Sequence, residues 1–151
     1  DWPGLRKITQ FRTAEAAGAH RRISVLVGNG GLFLPLELAR GVDGAMTGFA
    51  FPEMLVQVCD MFAAGDREAA EDLFDAYLPL MRYEHQIGIG LAIRKETLRR
   101  RGLIATAVTR APGPSLDAHD EAELTALLTR LDRAVAAQGQ DTSFYSPTTA
   151  A

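Results

Sequence analysis

The sequence holds one cysteine, Cys59, in 151 residues. A single thiol closes no internal disulfide, so packing must hold the fold, as it does in a reducing compartment. Lysine is almost missing too: of sixteen basic residues only Lys7 and Lys95 are lysines, the rest being arginine. With the abundant alanine, this imbalance reads as the base composition of a GC-rich genome rather than as arginine chemistry. No apolar run approaches eighteen residues, so no helix can be drawn across a bilayer and no membrane partner is expected. The net charge of −3 argues against bulk release of DNA counterions. The basic runs also lack the interleaved aromatics that stack bases, so nucleic acid is not an expected partner. The histidines His20, His85 and His119 are scattered, with no H-E-x-x-H spacing, and no metal or other cofactor is expected.

What remains is an ordinary globular composition. Hydrophobic residues make up 47% and charged residues 23%, enough for one sizeable core and too few residues for two ordinary domains. The sequence starts at Asp1, and Trp2-Pro3-Gly4 reads as a loop entering a helix. No basic stretch followed by an apolar one is present, so no signal peptide is expected and the location is expected to be cytoplasmic. A start without methionine suggests one part of a larger protein.

Leu5, Ile8 and Phe11 recur at helical spacing, which predicts a helix over residues 3–17 with Pro3 in its first turn and Gly18 past its end. Ile23-Ser24-Val25-Leu26-Val27, closed by Gly28-Asn29-Gly30-Gly31, has the pattern of a buried parallel strand and a tight turn. Leu32–Arg40 predicts a short helix that tolerates Pro35 in its first turn, and Ala45–Phe49 a second strand. Pro52-Glu53 then opens a helix with Met54, Leu55, Val58, Met61 and Phe62 on one face. Such alternation signals a βαβ unit and predicts adjacent parallel strands over 23–27 and 44–49 with a right-handed crossover. After Gly65 the pattern is helical: one helix capped by Asp66 carrying Leu73, Phe74, Tyr77 and Met81, another over Leu91–Arg101, and a third introduced by Asp117 and Asp120 as a capping box. The last dozen residues, 140–151, are small and polar, and residues 138–151 read as a frayed tail. Two strands leave both sheet edges open. Their area cannot cover three broad apolar helix faces, which predicts a partner or an oligomer.

Gly44-Ala45-Met46-Thr47-Gly48-Phe49-Ala50-Phe51-Pro52-Glu53, with Tyr77-Leu78-Pro79-Leu80 and Arg110-Ala111-Pro112-Gly113-Pro114, resembles the C-terminal half of the dihydrodipicolinate synthase / N-acetylneuraminate lyase family. The resemblance runs to about Leu131. It implies an α/β fold, the C-terminal part of a (β/α)8 TIM barrel followed by a helical extension; a complete barrel takes about 250 residues. Residues 3–17 then resemble the sixth barrel helix, Ile23–Val27 strand seven, Ala45–Phe49 strand eight and 53–64 helix eight. Residues 1–65 would belong to the barrel and 66–137 to the extension. The resemblance further implies a lyase that forms a Schiff base between a lysine at the end of strand six and pyruvate or a related 2-oxo acid. That lysine would precede Asp1, so this chain alone would be inactive and would carry walls of the site without a catalytic residue. The implied partners are the missing N-terminal half of the barrel, the small-molecule 2-oxo acid and further copies in a homotetramer. Two chemistries fit the family, aldol-type condensation and dehydration of a 2-keto-3-deoxy sugar acid. The rival from a different class is a non-catalytic helical assembly scaffold.

The candidate substrate-binding residues are Gly28, Asn29 and Gly30 after the first strand and Met46, Thr47 and Gly48 at the second. The glycine-rich turn can cradle a phosphate or simply reverse the chain. It lacks a P-loop lysine and a dinucleotide fingerprint. Family members often carry an acidic pair after the glycine, where this chain has Asn29-Gly30. Met46 either borders the Schiff-base pocket or fills the barrel. Cys59 reads as packing. Arg94-Lys95 and Arg99-Arg100-Arg101 read as complements to a helix dipole. Glu68, Glu71, Asp72 and Asp75 read as a solvated face. Tyr83-Glu84-His85-Gln86 reads as a polar loop between helices, as a pocket wall or as a subunit contact.

Overall fold

The structure, a computed structural model, describes residues 4–139; Trp2-Pro3 and most of the expected tail, residues 140–151, lie outside them. The elements run α1 (Leu5–Ala16), β1 (Leu26–Val27), a 3-10 turn (Asn29–Gly31), α2 (Leu34–Leu38), β2 (Gly44–Ala45), α3 (Pro52–Ala63), α4 (Arg67–Glu84), α5 (Gly90–Arg100) and α6 (Ala118–Ala137). The chain divides into two compact units at Phe74/Asp75, inside α4.

In the first unit, Gly4 at φ 79° starts α1 and Gly18 at φ 77° follows its end. β1 and β2 pair in parallel, Leu26 opposite Gly44 and Val27 opposite Ala45. The expected parallel pairing is present, but each strand is only two residues long. The reason lies in where the backbone groups go. The Val25 N–H donates to the Asp43 carboxylate at 2.7 Å, and the Ile23 carbonyl accepts from Arg12 at 2.9 Å and from Arg22 at 2.7 Å. Side chains satisfy what a longer ladder would have satisfied. At the other end the Met46 N–H donates to the Val27 carbonyl at 2.7 Å.

α2 is shorter than expected because the 3-10 turn takes residues 29–31 and Pro35 sits in the helix's first turn. Gly41 ends that segment at φ 91°, a conformation that favours glycine. Its carbonyl accepts from the Arg12 Nε at 2.7 Å. α3 buries Met54, Leu55 and Val58, as its spacing predicts, and Phe49, Ala50 and Phe51 are buried in the segment that leads into it.

In the second unit, α4 runs through Pro79 to Glu84, so Tyr83 and Glu84 are helical and not part of a loop. The correction has a physical cause: Glu84, 3% exposed, pairs with Arg94 of α5 at 2.6 Å, and this ion pair carries the helix past its last apolar turn. Asp117 and Asp120 form the expected capping box, with Asp117 accepting from the N–H groups of His119 and Asp120 at 2.7 and 2.9 Å. Ile93, Leu124, Leu131 and Val135 are buried in this unit.

Part of each of the three apolar faces is buried, while Met61, Phe62, Leu127 and Leu128 are half-buried. Met54, Leu55, Val58, Leu73, Phe74, Tyr77, Met81, Leu124 and Leu131 are all buried. The apolar groups that do stand exposed are others, among them Leu26 at 56% and Met46 at 73%.

Candidate functional site

Parallel strands deliver their carboxyl ends to the same side, the place where α/β folds present ligand-binding loops. Here β1 ends in Gly28-Asn29-Gly30-Gly31 and β2 in Met46-Thr47-Gly48, and the Met46–Val27 hydrogen bond ties the start of one segment to the last residue of the opposite strand. All six candidate residues therefore follow the same end of one small sheet.

The turn after β1 is left-handed at three successive residues: Asn29 at φ 56°, Gly30 at φ 68° and Gly31 at φ 76°. Asn29 is the lone non-glycine residue at positive φ among the described residues, and asparagine tolerates that region better than most side chains. The turn is closed by Gly31 N–H to Gly28 O at 3.0 Å and Leu32 N–H to Asn29 O at 3.3 Å. Those two donors are spent inside the turn, and the following helix has five residues. Gly28 and Asn29 are exposed and Gly30 half-buried. Open space surrounds the position where a Gly28 Cβ would stand.

Met46 is exposed, which excludes it as internal packing within this chain. Thr47 is half-buried and Gly48 exposed. The site thus offers a carboxamide, a hydroxyl, a thioether and unhindered backbone, with no ionisable group among the six residues. It can bind and orient a polar uncharged group, and it supplies no acid, base or nucleophile of its own.

The chain is 31% identical over 140 residues to the L-2-keto-3-deoxyarabonate dehydratase of Azospirillum brasilense, covering 85% of this chain and 45% of that protein. A solved structure, the dihydrodipicolinate synthase of Rhodopseudomonas palustris at 1.87 Å resolution, matches with a TM-score of 0.83 and 53% sequence identity, covering 86% of this chain and 43% of that one. Over these residues the chain belongs to the dihydrodipicolinate synthase / N-acetylneuraminate lyase family. No protein-family model matches it. The chain spans less than half the length of these two relatives.

In this family member neither lysine stands at a strand end. Lys7 lies in α1, and Lys95 of α5 donates to the Val108 carbonyl. Cys59 is half-buried, and burial together with the neighbouring Asp60 raises its thiol pKa, which suits packing better than nucleophilic chemistry. His20 stacks on Phe11 at 4.3 Å between ring centroids. Among the described residues no group of three His, Cys, Asp or Glu side chains is placed to hold a metal ion, and no helix is long and apolar enough to cross a membrane. Glu68, Asp72 and Asp75 are exposed and Glu71 half-buried, in keeping with a solvated face.

The arginine runs do more than complement a dipole. Arg99 and Arg100 both close on Glu96, at 2.7 Å each, and Arg100 also reaches the Thr125 hydroxyl at 2.7 Å. Two charged groups escaped the sequence reading. One is the set Arg12, Glu15, Arg22 and Asp43, assembled across α1 and the approaches to both strands. The other is Glu37, 7% exposed within α2, whose carboxyl pKa is raised by burial. Its position three residues after Leu34, on the apolar stripe, was the available signal.

Proposed function

We propose that this chain is the C-terminal half of a lyase that acts on pyruvate or a related 2-oxo acid through a Schiff base. The carrying observation is the 53% identity to a solved dihydrodipicolinate synthase over a stretch that contains both strand ends of the candidate site. On this reading residues 1–65 supply strands seven and eight of a (β/α)8 barrel with their helices, and residues 66–137 form the helical extension. The reactive lysine comes from the N-terminal half. Its imine with the 2-oxo acid withdraws electrons from the adjacent carbon and eases C–C or C–O cleavage. Gly28, Asn29, Gly30, Met46, Thr47 and Gly48 line the pocket: Asn29 and Thr47 orient the distal part of the substrate, and Met46 and Gly48 shape the wall beside the imine. The exposed Leu26 and Met46, with the two open edges of the sheet, are the surface that the other half of the barrel covers. The assembled subunit forms a homotetramer in the cytoplasm.

Between the two chemistries of the family, the candidate turn favours dehydration of a 2-keto-3-deoxy sugar acid. An uncharged Asn29-Gly30 wall suits hydroxyl groups, and the Azospirillum relative bears the name of such a dehydratase. Pyruvate and borohydride followed by mass spectrometry test the Schiff base. The 151-residue chain alone is expected to remain unmodified. Co-expressed with the complementary N-terminal portion of the Rhodopseudomonas synthase, the complex is expected to be reduced on a lysine of that portion. Specific reduction onto Lys7 or Lys95, or no adduct in a well-formed complex, overturns the reading.

A further inference from the structure

The side of the first unit that carries Arg12 and Asp43 holds an open groove of about 730 Å³. α1 contributes Thr9, Arg12 and Thr13 to one wall, and Arg22, Arg40 and Gly41 stand along the rest. Every charged side chain lining it is a guanidinium. The two carboxylates nearby do not line the groove; they hold the arginines in place. Glu15 binds Arg12 at 2.5 Å and Arg22 at 3.4 Å, while Asp43 binds Arg12 at 2.8 Å and also pairs with Arg22. Arg40 is anchored through Nη1 alone, donating to the Thr9 hydroxyl at 2.9 Å and to the Leu5 carbonyl at 3.2 Å. Its Nε and Nη2 have no partner among the described residues. With three guanidiniums against two carboxylates the cluster keeps one net positive charge, and the small residues Ala16, Ala39 and Gly41 leave room in front of it.

We propose that this groove binds a tetrahedral oxyanion, inorganic phosphate or the phosphate of a monoester, at a site separate from the strand ends. A guanidinium fork presents parallel N–H donors that match pairs of phosphate oxygens, and these charge-assisted bonds exceed neutral ones in strength. Arg40 supplies the free fork. The Thr13 hydroxyl supplies a further donor, and Arg12 and Arg22, whose donors are largely engaged with Glu15 and Asp43, contribute their charge.

Calorimetric titration of the 151-residue chain with inorganic phosphate and with glycerol phosphate tests this, at fixed ionic strength so that general screening cancels. Saturable one-site binding is expected. A tighter ester marks an esterified ligand and a tighter inorganic phosphate the free anion; either result supports the site. Arg40→Gln is expected to weaken binding about tenfold, the loss of one charge-assisted fork, and Thr13→Val to weaken it less, with both melts matching the parent. Absence of saturation in the millimolar range, or unchanged affinity in both folded variants, overturns it.

Discussion

Arg12 and Asp43, 31 positions apart in sequence, meet at 2.8 Å and together replace the strand pairing that β1 lacks. Asp43 accepts from the Val25 N–H, and Arg12 donates to the Ile23 and Gly41 carbonyls. One ion pair thereby fixes the end of α1, the entry to β1 and the turn before β2. The candidate site sits at the far ends of the same two strands, so its register depends on this pair.

Arg12→Ala is expected to destabilise the chain by about 1 kcal/mol, since Asp43 keeps Arg22 and the Val25 N–H, the Ile23 carbonyl keeps Arg22, and only the Gly41 carbonyl loses its side-chain donor. Urea unfolding of the variant measures this. A loss below about 0.5 kcal/mol, the range of ordinary surface substitutions, would show that the pair is incidental.

The Asp43 carboxyl lies below the usual carboxylate range, held there chiefly by the Val25 N–H and then by Arg22. A depressed folded-state pKa contributes stability that is present above the unfolded value of about 3.9 and is lost as pH falls through the folded one. The parent is therefore expected to lose stability more steeply than Asp43→Asn in acid below about pH 4. Parallel melting curves from pH 7 downward test this, and equal slopes would contradict it.

Glu37 carries the opposite sign. Burial raises its carboxyl pKa, so the native state holds its proton longer than the unfolded one. Its contribution is fully present below the unfolded pKa and is lost as pH rises through the folded value. At neutral pH Glu37→Leu is expected to stabilise by about 1 kcal/mol, because an apolar side chain replaces a desolvated charge. The variant should also flatten the pH dependence above about pH 4. Destabilisation at neutral pH would mean that the carboxylate has a role which burial alone does not reveal.

The Glu84–Arg94 pair gives a fourth stability test. Arg94→Ala removes a charge-assisted hydrogen bond to a buried carboxylate and is expected to cost about 1.5–3 kcal/mol, with Glu84→Gln/Arg94→Ala recovering part of it. Chemical denaturation of the single and double variants decides whether the two positions couple.

Tyr83 donates to Glu123 at 2.9 Å, and its oxygen lies 3.3 Å from the Asp120 carbonyl. Burial and the Glu123 carboxylate push its hydroxyl up to about 12. Spectrophotometric titration at alkaline pH is expected to show a late component that loses one tyrosine's amplitude in Tyr83→Phe. Loss of no late component in that variant would count against the assignment.

Much of this arrangement was legible in the sequence because it is local. Glycine at Gly4, Gly18 and Gly41, proline at Pro35 and Pro52, and the Asp117-Asp120 pair mark boundaries through backbone sterics and short-range hydrogen bonds. Apolar spacing identified the buried faces of α3, α4 and α6 for the same reason. The six candidate residues follow from two short runs and their turns. Tertiary structure alone decided where β1 and β2 stop, why α4 continues to Glu84 and how the arginines are used. The strand ends and the extension of α4 depend on charge pairs between residues distant in sequence: Arg12 with Asp43 across 31 positions and Arg94 with Glu84 across 10. Charge placement has no period to read along the chain. A carboxylate finds its guanidinium only after the backbone has brought the two within hydrogen-bond reach.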